Sequence, residues 1–206
     1  MLKSSNLYFV SSNSHKFEEV SQILASLKIE IKFINSELEE IQSNSLKDIA
    51  ERKAKDAFKK FKKPLIIEDA GLFIDSLNGF PGPYSSYVFK TIGNKGILNL
   101  VKTKRDATFF SLITYCDKKI TKTFEGKLEG KISNSSQGNG WGYDPIFIPS
   151  NSKNTMGQTN IKNNFSHRSK SLKKFSKWYL DMLESTGQWI FDYFVELKFL
   201  KQYFHP

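Results

Sequence analysis

Residues 65–72 read Leu-Ile-Ile-Glu-Asp-Ala-Gly-Leu, an apolar run that ends in two acidic residues. Residues 65–67 follow Pro64, which ends the preceding helical pattern, and they predict a buried strand. Glu68 and Asp69 come where this strand would emerge at a loop, and uncompensated charge is costly there. A bound divalent cation would explain the pair, and so would a salt bridge to a lysine.

The chain upstream of this strand alternates strands with helices. Residues 7–10 predict a strand, and apolar residues recur at helical spacing from residue 17 to residue 27. Residues 29–34 alternate apolar with charged side chains as a strand does, and residues 46–61 carry one apolar helical face. The order β-α-β-α-β indicates an α/β domain with a partly parallel sheet, in which ligands gather at strand ends.

The chain downstream has a different pattern. Residues 107–116 and 120–128 are period-2 runs joined by Asp117-Lys118-Lys119, which predicts a long antiparallel hairpin and therefore a mixed sheet. Glycines between positions 126 and 142 predict a turn-rich binding loop. Two apolar helical stripes then lie on either side of Thr186-Gly187. We expect one domain over residues 1–186 and a C-terminal amphipathic helical extension, residues 187–206, packed on it.

Composition sets broader limits. The 206 residues are 39% hydrophobic and 25% charged, and no apolar run approaches the roughly 20 residues of a membrane span. The first ten residues do not resemble a signal peptide, and a lone cysteine, Cys116, fits a buried thiol in a reducing compartment, so we expect a cytoplasmic protein. The net charge of +10 favours polyanions, which could be nucleic acid, an anionic membrane or phosphorylated substrates.

A polar loop, Ser11-Ser12-Asn13-Ser14-His15-Lys16, joins the first strand to the first helix. Free backbone N–H groups and the helix dipole favour a phosphate at such a place, and Lys16 would add a positive charge. Ser and Asn are also common helix caps without any ligand, and the loop lacks the full P-loop pattern.

Two later motifs could recognise a base. The stretch 140–147, Gly-Trp-Gly-Tyr-Asp-Pro-Ile-Phe, could stack a flat purine while Asp144 accepts a hydrogen bond, although core aromatics beside turns look similar. His167 and Arg168 precede the last helix, with Lys162 shortly before them, and this cluster suits an anion or a base carbonyl. A structural histidine is the alternative.

These motifs occur in a specific order: Ser-Asn-x-x-Lys, Ile-Glu-Asp-Ala-Gly-Leu, Gly-Phe-Pro-Gly-Pro-Tyr-Ser, Gly-Trp-Gly-Tyr-Asp-Pro-Ile-Phe and Lys-Asn-x-x-Ser-His-Arg. Over residues 6–185 the chain resembles the inosine triphosphate pyrophosphatase family. The resemblance implies an α/β fold with an elongated central mixed β-sheet, flanking helices and two lobes around an active-site cleft. It also implies a homodimer that cleaves ITP, dITP and XTP to the monophosphate and pyrophosphate with Mg²⁺, or Mn²⁺ as a substitute, and so removes deaminated purines from the nucleotide pool.

The resemblance further implies roles for individual residues. It makes Asp69, Lys16 and Glu68 catalytic and assigns the metal to Glu40 and Asp69. It assigns substrate binding to Ser11, Ser12, Asn13, Lys16, Lys53, Ala70, Trp141, Gly142, Tyr143, Asp144, Lys162, His167 and Arg168. Ala70 stands where the family usually has Ser or Thr, and residues 155–161 depart from the family pattern.

Two other functions remain open from the sequence. A basic nucleic-acid-binding protein without catalysis fits the charge, but Glu40, Glu68, Asp69 and Asp144 are acidic residues that a phosphate-binding groove should avoid. A related pyrophosphatase acting on a pyrimidine or methylated nucleotide fits the departures at Ala70 and Gln158. We expect a nucleotide substrate, no stable nucleic-acid partner and no membrane.

Overall fold

A seven-stranded mixed sheet forms the centre of the computed structural model, which describes the backbone of residues 7–159 and 162–203 and, in the last helix, side chains as far as Ser185 together with Gly187. The strands are β1 (Tyr8–Ser11), β2 (Lys32–Asn35), β3 (Leu65–Ile74), β4 (Pro81–Gly82), β5 (Asp106–Cys116), β6 (Thr121–Ile132) and β7 (Phe147–Pro149). The helices are α1 (Ser14–Ser26), α2 (Leu46–Phe61), α3 (Ser85–Thr91), α4 (Gly93–Leu100) and α5 (His167–Tyr203).

The sheet has the order β2-β1-β3-β5-β6-β7, and β4 pairs with β3. The pairs β1–β2 and β1–β3 are parallel, whereas the pairs from β3 through β7 are antiparallel. This change of direction follows from the connections, because helices cross between the first three strands and a four-residue turn joins β5 to β6. The predicted mixed sheet and the predicted hairpin are both confirmed.

Separate apolar cores support the two ends of the long β3, β5 and β6 strands. Around β1, α1, α2 and the start of α5, the largest fully buried side chains include Leu7, Phe9, Leu24, Ile66 and Phe175. Around α3, α4 and β7, another cluster includes Leu72, Ile74, Ile97, Ile146 and Phe147. Each end therefore buries its own apolar surface, which gives the two predicted lobes.

Strand β3 is longer than the sequence pattern indicated. It continues to Ile74, so Glu68 and Asp69 lie inside the strand, and the prediction that they emerge at a loop is wrong. The continuation is stabilised by backbone pairing with β5, in a register that places Glu68 opposite Ile113 and Ile74 opposite Ala107. Two carboxylates therefore lie in a central strand, where burying their charge costs free energy unless side-chain partners compensate for it.

Two of the glycines assigned to a binding loop belong to β6. A Cβ at Gly126 would overlap the His167 carbonyl oxygen and the Ser171 amide nitrogen, and a Cβ at Gly130 would overlap the Ile148 carbonyl oxygen. These glycines allow the backbones of α5 and β7 to approach β6 closely, so the binding-loop prediction is wrong at both positions.

Helix α5 runs without interruption from His167 to Tyr203, through the Thr186-Gly187 boundary. Its first turns bury Leu172, Phe175 and Tyr179 against the sheet. The packing predicted for residues 187–206 falls on side chains outside the described part, except for exposed Gly187, so that domain boundary stays a prediction. Within the described ranges, no helix has the length and apolar character needed to cross a membrane.

Candidate active site

A cleft of about 1020 Å³ lies between the two lobes. One wall comes from the β1–α1 loop, the segment 36–40, helix α2 and the middle of β3, and the other comes from Pro83 and helix α3. Its lining includes nine of the predicted site residues: Ser11, Ser12, Asn13, Lys16, Glu40, Lys53, Glu68, Asp69 and Ala70. The size is at the upper end of the roughly 300–1,000 Å³ typical of small-molecule sites.

The β1–α1 loop presents a helix N-terminus to this cleft. The Asn13 side chain caps α1 by accepting a hydrogen bond from the Lys16 amide at 3.2 Å, and the Ser11 hydroxyl accepts one from the Asn13 amide at 3.1 Å. The amides of Ser14 and His15 precede the first intrahelical bond of α1, and its first turn carries no acidic side chain. The positive end of the helix dipole therefore faces the cleft.

One ammonium group joins the two predicted metal ligands. Lys53 Nζ lies 2.5 Å from Glu40 Oε1 and also donates a hydrogen bond to Asp69 Oδ1. The second carboxylate oxygen of Asp69 is buried and has no hydrogen-bond partner among the described residues. Burial raises the pKa of Asp69 above its ordinary value, although Lys53 and Lys16 act in the opposite direction.

These two carboxylates suit a hard cation. Mg²⁺ is commonly held by one or two carboxylates together with substrate phosphates, and Asp69 offers an unpartnered oxygen for that purpose. The described residues contain no group of three or more His, Cys, Asp and Glu side chains arranged to hold a metal alone. Glu40 and Asp69 therefore fit a metal that is completed by its ligand's oxygens.

Glu68 faces the opposite side of the sheet from Asp69, as neighbouring strand residues do. Its carboxylate pairs with Lys16 Nζ at 3.0 Å and with Arg168 Nε at 3.0 Å, and it accepts a hydrogen bond from the Ser111 hydroxyl at 2.9 Å. Burial opposes ionisation, but Arg168 and Lys16 outweigh it and hold the Glu68 pKa well below its usual range. With these partners, Glu68 is placed to position cations.

The predicted base-binding residues gather beside the cleft in what we term the Trp141 cluster: Trp141, Asp144, Lys162, His167 and Arg168. The Arg168 guanidinium lies 5.3 Å from the centroid of the Trp141 ring. Lys162 Nζ pairs with Asp144 Oδ2 at 2.8 Å. Burial raises the pKa of Asp144, with Lys162 opposing that shift.

Glu19 is a member of this site that the sequence analysis missed. This α1 carboxylate is 6% exposed and lies 2.8 Å from Arg168 Nη1 and 3.4 Å from Lys162 Nζ. Burial opposes its ionisation, but Arg168 and Lys162 together lower its pKa. The sequence does place Glu19 four residues before the apolar Ile23, so both lie on the same face of α1, and this spacing could have indicated that Glu19 is buried.

His167 and Tyr143 are both buried and have partners within the protein. The His167 ring stacks on Phe109 with centroids 4.6 Å apart, and burial with the nearby Arg168 cation lowers its pKa to about 3. The Tyr143 hydroxyl donates to the Ser85 carbonyl at 2.8 Å, and its ring packs in the α3–α4 core. The Gly142 carbonyl accepts a hydrogen bond from Asn94. Tyr143 and Gly142 thus join the Trp141 segment to the second lobe.

Most of this chain is similar in sequence to known proteins. The family model described as the Ham1 family matches residues 7–178. The chain is 46% identical to a dITP/XTP pyrophosphatase of Pyrococcus horikoshii over 178 residues, which cover 84% of this chain and 95% of that protein. It is 44% identical to a dITP/XTP pyrophosphatase of Methanopyrus kandleri over 177 residues, which cover 83% and 94%.

Solved structures with a similar fold are also Ham1 proteins. A HAM1 protein from Coxiella burnetii superposes with a TM-score of 0.74 at 27% identity, covering 86% of this chain and 99% of that one. The Ham1 protein of Staphylococcus aureus gives a TM-score of 0.72 at 27% identity, covering 85% and 99%. The family resemblance indicated by the five sequence motifs is confirmed, and the chain belongs to the Ham1 family.

Proposed function

We propose that this protein hydrolyses deaminated purine nucleoside triphosphates, namely dITP, ITP and XTP, to the monophosphate and pyrophosphate. The observation that carries the proposal is Asp69, a buried carboxylate with an unpartnered oxygen beside a cleft that also contains Lys16, Lys53 and a helix N-terminus. The relatives named dITP/XTP pyrophosphatases support the same substrate class.

The β1–α1 loop would bind the triphosphate. Backbone amides at the start of α1 and the Lys16 ammonium favour anionic oxygens, and Lys53 adds a second cation on the α2 side. When bound between Glu40 and Asp69, Mg²⁺ would supply charge neutralisation for the triphosphate. The lysines would stabilise the charge that develops on the departing pyrophosphate.

Asp69 would accept the proton of the attacking water. The water oxygen would bond to the α-phosphorus while the bond from that phosphorus to the bridging oxygen breaks, and the water proton would pass to Asp69 Oδ2. A raised carboxyl pKa suits a proton acceptor, since its proton affinity is closer to the working pH. Glu68, which has three partners of its own, would hold Lys16 and Arg168 in place.

Trp141 would stack on the base, and Arg168 would direct an N–H group at the 6-keto oxygen. Two guanidinium nitrogens already bind Glu68 and Glu19, so the fork is held in one orientation while further N–H groups remain on it. An adenine 6-amino group would leave such a donor unpaired, which costs on the order of 1–3 kcal/mol. That cost would favour ITP and XTP over ATP.

The test is pyrophosphate release from ITP, dITP, XTP, GTP and ATP, with and without Mg²⁺. We expect Mg²⁺-dependent release from the first three, and Asp69→Asn should lower kcat by about 10²–10⁴-fold with an unchanged circular dichroism spectrum. Equal activity of Asp69→Asn would contradict the role of Asp69. Absence of release from all five nucleotides would overturn the proposed function.

We also propose that the chain forms a homodimer in the cytoplasm, as its family resemblance implies. Sedimentation equilibrium should give about twice the chain mass of 23.7 kDa. A mass equal to that of one chain across the concentration range would contradict this.

A further inference from the structure

His15 lies between the cleft and the Trp141 cluster. It is the second residue of α1 and lines the cleft with the rest of the β1–α1 loop. Its imidazole ring is nearly parallel to the Trp141 indole, with an interplanar angle of 19° and ring centroids 6.5 Å apart. The β1–α1 loop and the Trp141 cluster therefore each bring one of two nearly parallel rings to this place.

A third ring fits between His15 and Trp141 only if the two ring planes move apart. Aromatic pairs in contact have centroids about 4.5–7 Å apart, so His15 and Trp141 are at the loose end of that range. A flat base in van der Waals contact with both would need about 7 Å between them, at roughly 3.5 Å on each side. A centroid distance is the upper limit of the gap between two ring planes, so the exposed His15 side chain would have to move outward to admit the base.

His15 is the partner of Trp141 that is free to make this shift. Its side chain is 67% exposed, and the neighbouring acidic side chain of Glu18 is 3.8 Å away and 64% exposed. Arg168, the other group beside the indole, is 3% exposed and fixed by Glu19 and Glu68. A base can enter at His15 without breaking a buried ion pair.

We infer that His15 is a base-binding residue that stacks on the purine face opposite Trp141. The inference rests on the proposed function, because it places the base of the same nucleotide next to the loop that binds its phosphates. Stacking is indifferent to the exocyclic groups of the base, so His15 supplies affinity and leaves discrimination to hydrogen-bonding groups. It would act equally on bound substrate and transition state, which changes KM and not kcat.

The experiment compares wild type with His15→Ala, His15→Phe and, as a matched surface control, Glu18→Gln. Calorimetric titration with IMP and with inorganic tripolyphosphate separates base contacts from phosphate contacts without turnover. We expect His15→Ala to weaken IMP binding roughly tenfold, as loss of one stacking partner does, and to leave tripolyphosphate binding unchanged. His15→Phe should restore IMP binding to near the wild-type value, and Glu18→Gln should match wild type.

Equal weakening of IMP and tripolyphosphate by His15→Ala would overturn the inference and make His15 a phosphate contact. Unchanged IMP binding in His15→Ala would overturn it as well. ITP hydrolysis by the wild type is measured separately. An active wild type with an unaffected His15→Ala variant contradicts this inference alone, whereas an inactive wild type contradicts the proposed function.

Discussion

Glu68 and Asp69 are chain neighbours with different surroundings. Strand alternation directs Glu68 towards α1 and α5, where Lys16, Arg168 and Ser111 surround it, and directs Asp69 towards Lys53 on α2. The sequence shows that two carboxylates follow an apolar run, but their partners Lys16, Lys53 and Arg168 come from distant segments of the chain. The residue types could be predicted, whereas their separate roles depend on which face each one occupies.

The role of Glu68 as a buried counterion predicts a large loss of stability in Glu68→Gln. The substitution keeps the shape but leaves Arg168 with Glu19 as its remaining carboxylate partner, and breaking a buried pair costs about 3–5 kcal/mol. Urea unfolding measures this loss. The control Glu129→Gln removes an exposed pair with Lys127 and should leave the midpoint unchanged. A Glu68→Gln midpoint equal to that of wild type would exclude the counterion role.

His167 predicts a dependence of stability on pH. Its folded-state pKa of about 3 lies below the unfolded value of about 6.5, so the unfolded chain gains a proton first as pH falls. The free energy of unfolding should therefore decrease from pH 7 to pH 5 by an amount that His167→Phe removes. Urea titrations of both proteins across this window supply the measurement. Identical pH slopes would mean that His167 titrates normally in the folded protein.

At the scale of elements, the contact between α5 and β6 depends on Gly126. Any side chain there would overlap the α5 backbone at His167 and Ser171. Gly126→Ala should lower the free energy of unfolding by about 1–3 kcal/mol, the usual cost of overpacking. It should also raise KM for ITP, since α5 carries His167 and Arg168.

Gly187→Ala is the matched control for this glycine change. Gly187 is exposed within α5 and a Cβ there meets nothing within 4 Å, so alanine should stabilise the helix by about 0.5–1 kcal/mol without changing KM. Thermal unfolding and ITP kinetics of the two variants make the comparison. Equal, small effects of both substitutions would argue against a close contact between α5 and β6.

Hydrophobic periodicity predicted most helices and strands but not the places where distant elements pack against each other. The turn Asp117-Lys118-Lys119 has the local chemistry of a hairpin, and β5 and β6 form on either side of it as expected. Gly126 is a residue type typical of turns, yet it lies in a strand against which the much later helix α5 packs. Glu19 was missed for the same reason, since the two cations that permit its burial come from distant segments.

At the scale of the whole molecule, the net charge of +10 could have indicated nucleic acid, but five carboxylates line the cleft. Glu37, Glu39 and Glu40 line it together with Glu68 and Asp69. A continuous phosphate backbone would be repelled there, whereas a small triphosphate could bring a cation with it. Single-stranded RNA or DNA at 0.15 M salt should therefore not inhibit ITP hydrolysis. Competitive inhibition by either polymer would favour a nucleic-acid partner.

The ion pairs of the site form an alternating series across the molecule: Asp144, Lys162, Glu19, Arg168, Glu68 and Lys16. Each internal member serves two neighbours, so reversing or neutralising one charge leaves both neighbours mismatched. A single change at one internal position therefore lowers stability unless changes on both sides match it. Sequence variants that are as stable as this chain should keep these six charges, or lose them, as a set.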